Sequence, residues 1–434
     1  MFFALAVVVS FSATAAHFQG EWSGNLSVGA VSLKLVLHVE NNGGAYTCTL
    51  DSPMQGATGI PCTASVIGDS LSVSVPAIGA SYKAAMSADG SQMAGTFSQM
   101  GQNFPLNLKR VVKLTAAPKP YKETEVTIDA GGGVSLAGTF SLPQGAGPFP
   151  AVVMLTGSGS QDRDETIGDH KPFAQIADSL ARNGIAVLRF DDRGAGRSTA
   201  ASGMETTADF AADAHSMLCA LKRMAGVDSS RVGYIGHSEG GLIAVLNAQK
   251  GARFIVTLAA PAVKGKDLLL RQNEKVALVT GEELTEDKKE TLEAVFTAVD
   301  TEDNVSVLTR KLKMLLAELP VNVRNAQIDA FTSPWYRYFV RLDPAGALKK
   351  IGQNGRVAML ALNGDLDAQV DADQNLSVIK SLVPQAKIIR YPSLNHLFQP
   401  CDGVEKSLDY VGNPHDVDSQ VIADIIRFVK EVRD

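Results

Sequence analysis

Ser238 is the residue of this chain whose surroundings best suit covalent chemistry. It is the central residue of the pentapeptide GHSEG at residues 236–240, which lies between two apolar runs. A strand, a tight glycine-rich turn and a helix in that order hold a serine in a strained conformation with its hydroxyl exposed. A serine hydroxyl is a weak nucleophile until a base takes its proton, and that base needs a carboxylate to orient it. The pentapeptide therefore predicts a nucleophilic serine that requires a histidine and an acid.

The histidine and the acid are expected after later strands, in the order serine, acid, histidine. His396 follows the last β-like run of the chain, which makes it the candidate base. The acid should follow the apolar run at residues 357–362, where Asp365, Asp367 and Asp371 are all available. Spacing alone leaves these three aspartates open.

Backbone N–H groups are the expected stabilisers of the oxyanion that forms during acyl transfer. One donor should be the N–H of Glu239, the residue after the serine. The second should come from the loop TGSGS at residues 156–160, where the N–H of Ser158 is the candidate by position. The same loop could instead be a phosphate-binding turn, but it lacks the lysine and the spacing of a P-loop.

The elements that would position these residues fall into two regions. From residue 17 to about 115, short β-like runs alternate with turn residues, and apolar positions such as Leu33, Leu35 and Leu37 suit strands with one buried face. This pattern predicts a small all-β domain, an antiparallel barrel or sandwich of roughly seven to nine strands. Residues 116–122, which are rich in Pro and Lys, predict a stiff linker.

The region from residue 123 to 434 alternates β-like and helix-like runs. Continuous apolar strands between helices, such as AVVML at residues 151–155, are typical of a mostly parallel sheet covered on both faces. The alternation stops at about residues 263–347, where the chain is charged and helix-like, and this predicts an inserted helical cap. The fold class is therefore predicted to be α/β, preceded by the small all-β domain.

The amino-acid composition limits the class of protein and the partners that can be expected. The chain has 434 residues, of which 45% are hydrophobic and 20% charged, and this suits a globular protein of two domains. A net charge of −6 provides no basic field for a phosphate backbone, so nucleic acid is not an expected partner. The four cysteines form no CxxC pair, so neither a metal site nor a disulfide scaffold is expected.

Residues 1–16 combine an uncharged apolar run with a small-residue segment, which predicts a secretory signal peptide even though no Lys or Arg precedes the run. The alternative is a buried first strand. Export predicts a periplasmic or extracellular protein with no integral membrane segment after removal of the signal. In that compartment Cys48 and Cys62, which lie in neighbouring strand-like runs, could form a disulfide or remain two free thiols.

Four ordered motifs resemble the α/β-hydrolase superfamily, and specifically its bacterial exported serine esterase-like branch. They are LTGSGSQDRD at 155–164, FDDRGAGRS at 190–198, GHSEGG at 236–241 and NHLF at 395–398. The resemblance covers about residues 123–434 and implies ester hydrolysis through an acyl-serine, with no metal and no organic cofactor. It also implies Asp367 as the acid, because Gly364 and Val370 stand in register with the family's Gly-x-x-Asp-x-x-Val loop.

Three functions remain open from the sequence. The first is a serine carboxylesterase that acts on a small-molecule or saccharide-linked ester, with short acyl or acetyl esters favoured. The second is an aminopeptidase or amidase that uses the same triad, because related hydrolases cleave peptides behind a helical cap. The third is a non-catalytic envelope binding protein. No oligomeric state is predicted.

The substrate pocket is expected to include His237, Trp335 and Tyr336. The two aromatic residues belong to the patch at residues 333–339, which could equally pack the cap onto the sheet. The charged runs at residues 162–164 and 191–194 are interpreted as salt-bridged or scaffolding loops without a catalytic role.

Overall fold

The structure is a computed structural model that describes residues 18–28, 31–52, 55, 57–111 and 118–432. The chain divides into two compact units, Met1–Ala117 and Pro118–Asp434. The predicted signal peptide lies outside the described residues, as do residues 116 and 117 of the predicted linker. Within the described part of the chain, no helix is long and apolar enough to cross a membrane.

The first unit is a closed barrel of eight antiparallel strands. Its strands are β1 (Gly20–Val28), β2 (Val31–Asn42), β3 (Ala45–Ser52), β4 (Ala57–Ile67), β5 (Ser70–Val75), β6 (Ala80–Met86), β7 (Gln92–Gln99) and β8 (Gln102–Arg110). The barrel closes where β1 pairs with β8, with Trp22 opposite Arg110. In β5, Leu71, Val73 and Val75 are buried while the serines between them face outward, as a strand with one apolar face requires. The prediction of an all-β domain is confirmed, and the domain is a barrel rather than a sandwich.

Two cysteines face each other in this barrel. Cys48 of β3 and Cys62 of β4 are directly opposite in the antiparallel register, and both are free thiols. The hydrogen bond between the two thiols, together with burial, raises the pKa of Cys48. Directly opposed residues of antiparallel strands have Cα separations of about 4.5–5.5 Å, which a disulfide can also span. The two alternatives drawn from the sequence, a disulfide and a thiol pair, are therefore both compatible with this register.

The second unit is built on an eight-stranded sheet of order β16-β15-β14-β13-β11-β12-β10-β9. Its strands are β9 (Tyr121–Gly131), β10 (Val134–Pro143), β11 (Phe149–Leu155), β12 (Ala186–Phe190), β13 (Val227–His237), β14 (Phe254–Leu258), β15 (Ala358–Gly364) and β16 (Lys387–Tyr391). Strands β11 to β16 pair in parallel, and the antiparallel β9–β10 hairpin extends the sheet beyond β12. The mostly parallel sheet that the continuous apolar runs predict is confirmed.

Helices cover both faces of this sheet, as buried parallel strands require. The helices that pack on it are α1 (Pro172–Arg182), α2 (Thr207–Leu221), α3 (Glu239–Asn247), α9 (Ala345–Asn354), α10 (Ala372–Leu382) and α11 (Ser419–Glu431). Apolar side chains of α2, α3, α9 and α10 form the core on one face, and those of α1 and α11 form the core on the other. The sheet is therefore the buried layer of a three-layer α/β unit.

The helical cap lies between β14 and β15. It consists of α4 (Gly265–Thr280), α5 (Glu286–Thr301), α6 (Val305–Leu315), α7 (Val321–Thr332) and α8 (Pro334–Arg341). The cap has its own apolar core, which includes Phe296, Leu312 and Ile328. Side-chain caps define where its helices begin, since Asn304 accepts backbone N–H groups at the start of α6 and Ser333 does so at the start of α8. The predicted inserted helical cap is confirmed.

The carboxyl ends of the parallel strands lie at one edge of the sheet and position the candidate residues. The loop at residues 156–160 follows β11, Ser238 follows β13, Asp367 follows β15 and His396 follows β16. Sites of α/β proteins form at this edge because the strands deliver successive loops to the same place.

Candidate active site

Ser238 lies at the turn between β13 and α3, in a backbone conformation that few non-glycine residues adopt. Its φ and ψ are 52° and −119°. Its N–H donates to the carbonyl oxygen of Leu258 at 2.8 Å, and its own carbonyl accepts the N–H of Gly241 at 3.0 Å. A backbone strained in this way persists because surrounding contacts hold it. The turn therefore fixes Ser238 at the edge of the sheet, with a half-buried side chain.

The glycines on either side of the serine are required by the close packing of this turn. A Cβ atom on Gly236 would lie 2.1 Å from the carbonyl oxygen of Gly240. A Cβ atom on Gly240 would lie 2.1 Å from the carbonyl oxygen of Leu155, at the end of β11. Non-bonded heavy atoms have their optimal separation near 3.5–4.0 Å, so any side chain would push these backbones apart. The absence of side chains lets the serine turn approach the loop that follows β11.

His396 and Asp367 form a buried hydrogen-bonded pair. Nδ1 of His396 lies 2.7 Å from Oδ2 of Asp367. The other carboxylate oxygen of Asp367 accepts the backbone N–H groups of Gln369 at 2.8 Å and Val370 at 2.9 Å. A carboxylate held in this way keeps the proton on Nδ1 and leaves Nε2 as the basic nitrogen. The structure thus places Asp367, among the three candidate aspartates, against His396.

The other two aspartates make structural contacts. Asp365 is partly exposed and pairs with Arg390 at 2.7 Å. Asp371 begins α10, where it accepts the N–H of Gln374 at 2.9 Å, and it pairs with Lys275 at 2.6 Å. Asp365 is therefore a loop brace and Asp371 a helix cap.

Ser158 and Glu239, the two candidate oxyanion donors, interact through the Glu239 side chain. Its buried carboxylate accepts hydrogen bonds from the hydroxyl of Thr207 at 2.6 Å and the indole N–H of Trp335 at 3.0 Å, and the nearby Ser158 side chain also favours its charged form. Burial raises the pKa of Glu239 above its ordinary value, although these donors favour the charged form. The structure thus brings together the residue after the serine and the loop after β11.

Trp335 and Tyr336 are neighbours on α8 that have different surroundings. Trp335 reaches Glu239 and stacks on Phe339 one turn later, with ring centroids 5.2 Å apart. Tyr336 packs edge-on against Phe331 of α7, with ring centroids 5.1 Å apart, and belongs to the apolar core of the cap. Of these two pocket candidates, the structure therefore places Trp335 at the serine turn and Tyr336 in the cap core.

His237, the third pocket candidate, is only 6% exposed and is bonded within the protein at both ring nitrogens. Nδ1 lies 2.8 Å from Oε1 of Glu165, and Nε2 lies 3.0 Å from the backbone carbonyl oxygen of His396. No ring nitrogen is left for a substrate, so its contacts do not support His237 as a polar pocket residue. Glu165 carries no signal in the sequence beyond its place directly after the motif at residues 155–164.

Asp192 is a buried carboxyl that holds both ends of the loop at residues 156–160. It accepts hydrogen bonds from the hydroxyl of Thr156 at 2.6 Å and the backbone N–H of Gln161 at 3.1 Å. Burial raises the pKa of Asp192 to about 7, and the nearby charges of Glu165 and Glu239 act in the same direction. This carboxyl therefore exchanges its proton near neutral pH in the folded protein.

The two charged runs flanking the site form ion pairs. Arg163 pairs with Asp191 at 2.7 Å, and Arg193 pairs with Asp213 at 2.6 Å. These contacts agree with their interpretation as scaffolding loops. Among the residues that the structure describes, no group of three His, Cys, Asp or Glu side chains is arranged to hold a metal ion.

The eight-stranded sheet, its inserted cap and the strand–turn–helix around Ser238 define the class of this protein as the α/β hydrolases. A family model described as serine aminopeptidase, S33, matches residues 167–398, which is more than half of the chain. The chain belongs to this family.

The chain is also similar to individual proteins. The esterase EstD of Thermotoga maritima is 30% identical over 317 residues, which are 72% of this chain and 68% of EstD. Among solved structures, the esterase Pf2001 of Pyrococcus furiosus is 16% identical with a TM-score of 0.46, covering 75% of this chain and 96% of its own. Est1E of Butyrivibrio proteoclasticus, solved with ferulic acid bound, is 15% identical with a TM-score of 0.44, covering 71% and 98%. The chain is thus similar over most of its length to an esterase.

Titration of Asp192 predicts that its contribution to stability falls as the pH rises. Its pKa of about 7 in the folded protein lies above the value of about 4 of an unfolded chain, so the folded state binds one more proton between these limits. The contribution of Asp192 to the free energy of unfolding is therefore fully present below about pH 4. It is lost as the pH rises through about 7. The amide oxygen of Asp192→Asn can accept the same two hydrogen bonds without titrating.

The free energies of unfolding of both proteins can be measured by urea denaturation at pH 5 and pH 8. Relative to Asp192→Asn, the wild-type protein should be less stable at pH 8 than at pH 5. A difference between the two proteins that is independent of pH would contradict this assignment.

Proposed function

We propose that this chain is an exported serine carboxylesterase that hydrolyses short acyl or acetyl esters, either small molecules or saccharide-linked. The family assignment makes it a hydrolase, and the named activity of EstD supports ester bonds in particular. The esterase proposal needs a nucleophile, a base with a fixed tautomer and a stabilised oxyanion, and each of these has a candidate at the carboxyl edge of the sheet.

The proposed reaction proceeds in two halves. Ser238 Oγ attacks the ester carbonyl carbon while His396 Nε2 takes the hydroxyl proton, and His396 returns that proton to the alkoxide as the carbon–oxygen bond breaks. Water then attacks the acyl-serine, with the same proton transfers in the same order. The Asp367 carboxylate accepts the hydrogen bond of the proton that stays on Nδ1 of His396, and it stabilises the imidazolium that forms in each half.

The contact between Asp367 and His396 is the observation that carries this proposal. The 2.7 Å hydrogen bond uses Nδ1 and so leaves Nε2 as the nitrogen able to act as a base. Both side chains are buried, and a carboxylate and an imidazolium attract each other more strongly in such surroundings than in water. The strained turn at Ser238 supports this serine as the third residue of the proposed triad, because the turn lies at the same edge of the sheet.

The N–H groups of Ser158 and Glu239 are the proposed oxyanion donors. The interaction of the Ser158 side chain with the Glu239 carboxylate supports this assignment, because it places the two residues close together. Donors fixed before the reaction need no reorganisation when charge develops, and one such donor contributes about 10²–10³-fold to kcat.

Peptide or amide hydrolysis is the second candidate, because the matching family model is described as a serine aminopeptidase. An aminopeptidase needs a carboxylate that binds a free amino terminus. The cap acids Glu282 and Glu286 are exposed and pair with Lys288 and Lys289. These two carboxylates are solvated and neutralised, so they offer little to an amino terminus.

A panel of chromogenic esters and anilides should separate the two reactions. The wild-type protein should hydrolyse p-nitrophenyl acetate and butyrate, while alanine p-nitroanilide should be a poor substrate. Ser238→Ala should lower kcat on the esters by at least about 10³-fold, because the nucleophile is lost. Faster cleavage of the anilide, or an unchanged rate in Ser238→Ala, would contradict the esterase proposal.

The two aspartates of one loop provide a matched pair of variants. Asp367→Asn should lower kcat by about 10⁴-fold, because an amide cannot hold the Nδ1 proton and stabilise the imidazolium. Asp365→Asn removes an equal charge only two residues away, at a side chain that braces the loop. The kcat of this variant should stay near the wild-type value. Steady-state kinetics on p-nitrophenyl butyrate tests both, and equal losses in the two variants would exclude Asp367 as the specific partner of His396.

A further inference from the structure

Both ring nitrogens of His237 face oxygen atoms of the protein. Its Nδ1 faces a carboxylate oxygen of Glu165 at 2.8 Å, and its Nε2 faces the backbone carbonyl oxygen of His396 at 3.0 Å. A carboxylate and a carbonyl oxygen only accept hydrogen bonds, whereas a neutral imidazole has one donor nitrogen. Both contacts are therefore satisfied when His237 is an imidazolium and Glu165 is a carboxylate.

Glu165 forms the other half of a buried ion pair and also holds a backbone. The same oxygen that faces His237 accepts the N–H of Gly157 at 2.7 Å. Glu165 is 1% exposed, and its φ of 53° lies in the left-handed region. A non-glycine residue rarely adopts that conformation, so its neighbours hold the backbone there. The carboxylate is therefore fixed from both its backbone and its hydrogen bonds.

The ion pair connects three backbone segments that the proposed reaction needs. Gly157 precedes Ser158, a proposed oxyanion donor, and His237 precedes Ser238, the proposed nucleophile. The third segment is the backbone of His396, the proposed base. A single shift of the Glu165 and His237 side chains would therefore displace the oxyanion loop relative to the base.

The charge of this pair is also close to the base. The rings of His237 and His396 have centroids 4.6 Å apart. Burial alone would lower the pKa of His237, but the attraction and hydrogen bond of Glu165 and the bond to the His396 carbonyl raise it above its ordinary value. The other charged group acting on His237 is Asp367, while Asp192 interacts with Glu165. Glu165 therefore favours the charged form of His237 and balances that charge beside His396.

We propose that Glu165 and His237 are positioning residues, whose ion pair locks the oxyanion loop and the backbone of His396 in register with Ser238. The proposal rests on the ester hydrolysis proposed above. It predicts a loss of catalytic rate when His237 gives up its second proton, because one of its two hydrogen bonds is then lost.

Glu165→Gln tests this proposal, with Asp416→Asn as the matched control. His170 has the same kind of partners as His237, namely Asp416 at 3.0 Å from Nδ1 and the backbone carbonyl of Asn413 at 2.9 Å from Nε2. Both substitutions replace the carboxylate partner of a histidine that also bonds a carbonyl oxygen. Only the first lies at the proposed site.

The kcat of Glu165→Gln on p-nitrophenyl butyrate should fall about 10- to 100-fold with little change in KM, because misplaced groups slow the reaction more than they weaken binding. The alkaline limb of its pH profile should move to lower pH, because the amide no longer keeps His237 protonated. The rate at which a fluorophosphonate labels Ser238 should fall in parallel. Asp416→Asn should keep the wild-type rate and pH profile.

Wild-type kinetics and an unshifted alkaline limb in a folded Glu165→Gln protein would overturn the proposal. If that variant does not fold, Glu165→Asp decides, because it keeps the charge but is too short to hold Gly157 and His237 together. It should lose rate, and its alkaline limb should move to lower pH because the hydrogen bond to His237 is lost; a wild-type rate would be contrary to the proposal. A wild-type protein that neither hydrolyses esters nor reacts with the fluorophosphonate would instead show that the proposed function itself is wrong.

Discussion

The hydrogen bond between Asp367 and His396 requires two loops to end within a fraction of an ångström of their present positions. Backbone contacts provide that accuracy, since the N–H of Leu366 donates to the carbonyl of Leu394 at 3.1 Å. Gly364 allows this approach, because a Cβ atom there would lie 2.1 Å from the same carbonyl oxygen. The glycine of the acid loop therefore has a steric role, as do the glycines around the serine. Close approach of backbones at one edge of the sheet is the constraint on which the proposed chemistry depends.

Glu165, Glu239 and Asp192 are buried acids at the same edge, and each is accommodated in a different way. Glu165 forms an ion pair with His237, Glu239 accepts hydrogen bonds from Thr207 and Trp335, and Asp192 has a pKa of about 7. Unbalanced negative charge near a developing oxyanion would oppose the reaction. The three carboxyl groups hold the loops in shape, but the proposed chemistry does not use their negative charge. Ion pairing, hydrogen bonding and protonation therefore each reduce the charge of one of them.

The fold was largely predictable because its signals are local. Continuous apolar strands between helices predicted the parallel sheet, and the charged helical insert predicted the cap. Strand alternation could not distinguish a barrel from a sandwich, because Leu71, Val73 and Val75 would face inward in either one. The distinction depends on the pairing of β1 with β8, which are distant in the chain.

The candidate site shows a similar division. Ser238 and Asp367 stand out by motif and register, and their roles stay predictions until they are tested. Glu165 could not be found in this way, because its contact with His237 spans 72 residues and lies between two loops. The helical period could have separated Trp335 from Tyr336, since Trp335 and Phe339 are four residues apart and share a face of α8.

The central claim is that Ser238 is a nucleophile activated by His396 and Asp367. The most direct measurement is mass spectrometry of the full chain after reaction with a fluorophosphonate, followed by peptide mapping of the adduct. The account predicts one adduct per chain, located on Ser238, and its absence in Asp367→Asn over the same reaction time. A chain that stays unmodified, as expected of a non-catalytic binding protein, or an adduct on another residue would contradict it.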